Sequence, residues 1–263
     1  MTNDTKITLP VFETAIRSFM YVIKNFSTFA KICSIFTLLL IAEIVMDLPS
    51  LCYVNNNYCR DDLSANILAF VISLGAAIVA VETIRNIILR QEYKWFSISF
   101  GMPHLKYIGY SLLITAMIAI PSVMILTISS ASSYTNISPY VSMFLNAAFI
   151  TTLIGLSVFC FRLYLVYAGA AVGDKEMTLY KSYALTTGNM LRILAGQVLV
   201  ALPSAAFILI IIAFYQITEW GFIANCIFVF LGIFCSYFDI AVRASYHSHI
   251  YQYFMYYDKQ KEL

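Results

Sequence analysis

Long apolar runs separated by short charged segments set the pattern of this chain. Six runs, near 29–47, 63–81, 107–130, 141–161, 193–215 and 220–240, are long enough to cross a hydrocarbon layer as helices of about twenty residues. Unsatisfied backbone groups in lipid cost several kcal/mol each, so such runs read as transmembrane α-helices. Ahead of the first, Phe12, Ile16, Phe19, Ile23 and Phe26 recur at 4-3-4-3 spacing, with Glu13 and Arg17 as an i,i+4 pair off the stripe. That pattern predicts a helix over 11–28, lying either in the membrane interface or against the underside of the bundle. Residues 241–263 read as a cytoplasmic tail. The fold class expected is all-α: one polytopic membrane domain over 1–263, a bundle of six transmembrane helices.

Internal repetition refines the expectation. Pro-Ser occurs at Pro49, Pro121 and Pro203, in or just after the first, third and fifth runs, and YKWFSISFG (93–101) parallels YKSYALTTG (180–188) ahead of the third and fifth. The unit this suggests is a helical hairpin used three times, each with a cytoplasmic amphipathic lead-in; chance recurrence of a dipeptide is the alternative. Gly188 and Asn189 read as a break before the fifth run. Pro121 and Pro203 are candidate hinges, because a proline inside a span frees the carbonyls of Met117 and Leu199, with Ser122 and Ser204 placed to help satisfy them. A static kink and a gating hinge both fit.

Charge fixes an orientation. Fifteen of the 16 Lys and Arg residues fall on one face of a six-span topology, and only Arg60 falls on the other. By the positive-inside rule both termini are expected in the cytoplasm of a cell inner membrane. Charged residues make up 11% of the chain, hydrophobic residues 61%, and the mean hydropathy is +0.80, values outside those of soluble domains. The net charge of +2, spread over four segments, argues against nucleic acid as a partner. The first 28 residues carry Asp4, Lys6, Glu13, Arg17 and Lys24, so no cleaved signal peptide is expected. Cys52 and Cys59 fall in the first outer loop, as a disulfide or as two free thiols; the other cysteines lie in spans, where they read as packing residues.

Candidate chemistry is confined to charges near membrane depth, which are costly to insert. Glu43 lies deepest, in the first run. Glu82 with Arg85, Arg162, and Asp239 with Arg243 lie near the inner surface, where a ring of charges would either serve a pathway or staple the second, fourth and sixth helices. The three histidines show no HExxH spacing, no GxSxG or phosphate loop occurs, and no cofactor or metal is implied. Tyrosine and phenylalanine gather toward span ends as aromatic belts would.

SYALTTGNMLRIL entering the fifth run and the closing RASYHSHIYQYF resemble a group of bacterial six-span inner-membrane proteins that includes the YciC-like proteins and the membrane domain attached to some glycerophosphodiester phosphodiesterases. The resemblance implies a six-helix bundle with a role in envelope or lipid homeostasis and transfers no catalytic residue. The expectation is therefore a non-catalytic membrane scaffold whose partners are the lipid bilayer and other membrane proteins. The alternative is a small transporter or lipid translocator using the proline-bearing spans.

Overall fold

The computed structural model describes residues 8–51, 62–96, 100–134, 139–217 and 222–261, and these are helical with no strand among them. In order they form α1 (Val11–Lys24), α2 (Phe26–Leu51), α3 (Asp62–Leu89), α4 (Met102–Tyr134), α5 (Pro139–Arg162), α6 (Leu165–Val172), α7 (Leu179–Leu185), α8 (Met190–Ile217) and α9 (Phe222–Lys261). The six apolar runs correspond in turn to α2, α3, α4, α5, α8 and α9. Among the described residues four stretches are long and apolar enough to cross a membrane: Phe70–Leu89, Met102–Val123, Ala147–Val172 and Met190–Phe214. This is a membrane-integral protein.

Packing is concentrated at one end, the base, where α2, α4 and α8 begin, α3 and α5 end, and α1, α6 and α7 lie. Through its centre runs the second half of α9, whose 40 residues make a rod of about 60 Å, twice the hydrocarbon thickness of about 30 Å. Residues 241–261 thus continue α9. Far from trailing as a tail, this stretch buries Ala241, Val242, Ala244, Tyr246, Ile250 and Phe254. Alanines and serines at 241, 244, 245 and 248 let neighbouring helices approach closely. Gly196 on α8 serves the same end: a Cβ there would collide with the Tyr246 ring, whose hydroxyl donates to the Ile193 carbonyl at 3.2 Å.

α1 crosses the base. Leu9 N–H donates to Asn189 Oδ1 (3.0 Å) at the start of α8, Tyr21 donates to Asn86 near the end of α3, and the Tyr21 ring packs edge-on against His249 of α9. The face turned inward carries Thr14, Ala15, Ser18 and Val22. The apolar stripe faces away, with Phe12 67% and Ile23 55% exposed, and only Phe19 is half-buried against the core. The stripe is therefore not packed on the bundle underside: small residues seat the helix there while its large apolar residues remain uncovered.

The other lead-ins differ from one another. α7 is capped by Thr178, whose Oγ1 accepts from Lys181 N–H (3.2 Å), and Gly188 at φ +83° separates it from α8, at the break expected there. The second lead-in is not helical over its described residues 90–96 and 100–101. Its backbone is held by side chains instead: Asn86 donates to the Gln91 carbonyl (2.7 Å) and Arg85 to the Gln91 side chain (3.0 Å). A helix would need that Gln91 carbonyl for its own ladder.

α4 and α8 run unbroken through Pro121 and Pro203. Ser122 donates to the Ile118 carbonyl (2.6 Å) rather than to Met117, and the Ser204 hydroxyl is buried without a hydrogen-bond partner among the described residues. Neither serine makes the local repair expected of it. α6 is enclosed on all sides, Leu165–Ala171 being buried throughout, as a helix that is apolar all round must be. A Schellman turn ends it: Gly173 (φ +79°) donates to Ala170 O (3.2 Å) and Asp174 to Gly169 O (2.9 Å).

Candidate functional site

A cavity of about 370 Å³ opens in the base between α4, the α5–α6 turn, α8 and α9. It exists because Ala80, Ala201 and Ala244 leave space where larger residues would meet. Three tyrosines form its walls. Tyr107 of α4 and Tyr167 of α6 have ring centroids 5.0 Å apart, and Tyr164, in the turn after α5, lies 5.4 Å from Tyr167. His247 of α9 closes the ring, 5.0 Å from Tyr164 and stacked on Tyr167 at 6.3 Å.

Opposite the tyrosines, the Gln197 side-chain amide pairs with His247 Nε2. Burial holds this imidazole well below its ordinary pKa, with the nearby Arg243 charge acting in the same direction. Arg243 stands at the edge of the cavity with Nε 2.6 Å from Asp239 Oδ2. The arrangement is a neutral hydrogen-bonding pocket with aromatic walls and one guanidinium–carboxylate pair at its rim. It can hold a polar group carried on an apolar body.

The charges singled out from the sequence separate into independent clusters and form no ring. Glu82, 4% exposed, lies 3.0 Å from Nε2 of His104, 2% exposed, and accepts from the Tyr93 hydroxyl. Arg85 is 4.0 Å from Glu82 and donates to the Ala171 carbonyl (3.3 Å). Because Gly101 N–H points at His104 Nδ1 (3.3 Å), the proton belongs on Nε2, facing the Glu82 carboxylate. This closed knot fastens the start of α4 and the 90–96 segment to α3. Among the described residues Arg162 meets no acid: its guanidinium stacks over the Tyr183 ring (3.3 Å) and donates to Tyr183 O (2.8 Å) and Thr187 Oγ1 (2.5 Å). It clamps α7 to the end of α5. Glu43 belongs to α2, but its side chain, like Cys52 and Cys59, lies outside the described residues.

Of the sequence candidates among the described residues, then, only Arg243 reaches the cavity, with Asp239 behind it. Gln197, His247 and the three tyrosines were not singled out. The available signal was the run of helical positions 240, 243, 244 and 247, which share one face of α9. No family model, curated protein or solved structure matches the chain.

Proposed function

We propose that this is a six-span inner-membrane protein with both ends in the cytoplasm, acting without catalysis as a scaffold in lipid homeostasis that retains one amphiphile in its basal cavity. The observation that supports this reading is the cavity itself: polar groups converge from α4, α6, α8 and α9 on a space whose remaining walls are apolar. His247 Nε2 is engaged by Gln197 and Arg243 by Asp239, so neither the strongest base nor the strongest cation of the pocket is held ready for a reaction. Mass spectrometry of the purified full-length chain tests the reading. An amphiphile should leave with the wild-type protein and be lost in Ala201→Phe, which fills the cavity from a half-buried position, at unchanged helicity. A wild-type chain that emerges empty, or a variant that keeps its passenger, refutes it.

A translocator is the second reading, favoured because α4 and α8, the two helices with a proline near mid-length, line the cavity. Vesicle uptake that falls at least tenfold in Pro203→Ala or Glu43→Gln at normal protein levels would select it over the scaffold.

A further inference from the structure

A second recess, of about 480 Å³, lies on the outside of the base between the start of α4 and the α6–α7 turn. Lys106 stands on one wall and Lys175 on the other. Among the described residues neither lysine has an ion-pair or hydrogen-bond partner. The acid of the recess is already committed elsewhere: Asp174 accepts from the Tyr251 hydroxyl (2.6 Å) and from Glu176 N–H (2.8 Å). Glu176 in turn lies 3.9 Å from Lys181. Burial raises the Asp174 pKa, but the hydrogen bonds from Tyr251 and from the Glu176 and Met177 backbone, with Lys181 nearby, more than offset it and keep the carboxyl below its ordinary range. Two lysines without a partner among the described residues therefore line one space, together with Tyr110 and Thr178.

The recess is not a closed anion cup. Gly109 offers no side chain, with open space where a Cβ would stand, so the wall continues upward along the exposed apolar surface of Leu112 (67% exposed) and Leu113. That surface belongs to the stretch Met102–Val123, which is apolar and long enough to cross a membrane. Lys106 is in the second turn of α4, about 6 Å along the axis from its first residue, close enough to the end of that stretch for its long side chain to reach back to the headgroups. Paired point charges beneath an apolar track fit a phosphate carrying acyl chains.

We propose that this recess is a binding site for an anionic phospholipid, its phosphate between Lys106 and Lys175 and an acyl chain along Leu113. The inference rests on the membrane-integral reading with the base at the headgroups and not on the amphiphile in the inner cavity. Native mass spectrometry of the full-length chain in detergent, titrated with phosphatidylglycerol, phosphatidylcholine or inorganic phosphate, tests it. Phosphatidylglycerol should bind at least tenfold tighter than phosphatidylcholine, inorganic phosphate should not displace it, and K106Q/K175Q should weaken it about 30-fold, at about 1 kcal/mol per lysine. Lys94→Gln, an exposed lysine at the base outside the recess, should leave it unchanged. Equal binding of the two lipids, saturation by inorganic phosphate, or undiminished binding in the double variant each overturns the proposal. Retention of the inner-cavity amphiphile by K106Q/K175Q keeps the two sites separately testable.

Discussion

The two halves of α8 are both rich in apolar residues and have opposite fates. In its first half and the turn before it, Asn189, Ile193, Gly196, Gln197 and Val200 are buried among other helices; farther along, Phe207, Leu209, Ile210 and Phe214 are exposed. The buried set is mixed in size and partly polar, and the exposed set is uniformly large and apolar. In a lipid-embedded protein this inversion is physical: large aliphatic side chains lose nothing against acyl chains, whereas helices come together through small residues and hydrogen bonds. The base is thus the specified part of the molecule, and the far half is a surface for solvent hydrocarbon.

The comparison is broken most severely at Glu82. Glu82→Ala strips a buried partner from His104, Tyr93 and Arg85 and should cost about 3 kcal/mol, read as a drop in detergent unfolding midpoint, while Glu13→Ala, in an exposed pair (2.8 Å) at the surface of α1, should cost under about 0.5 kcal/mol. Next, Gly196→Ala drives a methyl into the Tyr246 ring, and overpacking of this kind costs about 2 kcal/mol. A Tyr246→Phe background should recover part of that loss, because the atom nearest the new methyl is the Tyr246 hydroxyl oxygen, with the ring edge behind it. Smaller still is the pH effect at Asp174. A carboxyl with a depressed folded pKa contributes stability that is present above its unfolded value of about 3.9 and is lost as pH falls through the folded one. Asp174→Asn should therefore flatten the fall in melting temperature between about pH 5 and pH 3 relative to wild type. At the bottom of the scale, Ile210→Ala in the far half should shift stability by under about 0.5 kcal/mol; a loss of 2 kcal/mol there would mean that this surface is covered by protein.

The helices were legible because hydrophobic run length responds directly to the span requirement, and each predicted run has its helix. Gly188–Asn189 was legible because glycine at a positive φ is chemically distinctive. The division between α5 and α6 was not: RLYLVYAGAAV continues the apolar run without proline, and the later Gly173–Asp174 marks where α6 stops, not where it begins. Spacing revealed the α1 stripe but not its outward direction, since that was decided by Ala15 and Ser18 packing closer than phenylalanine can. At the cavity, charge pointed to Arg243 and Asp239. Tyrosines read as belt residues turned inward instead, a distinction that depends on which helix stands opposite.

The seating of α1 also sets an order of events during synthesis. Tyr21 of α1 finds Asn86 only 65 residues on, but Asn189, which holds Leu9 just ahead of α1, is 180 residues downstream, and Tyr253, which donates to the Thr8 carbonyl (2.9 Å), is 245 downstream. While the ribosome is still extending the chain, α1 can meet α3 but not the late segments that hold its start. The base is complete only afterwards, when the last helix emerges and closes over the first.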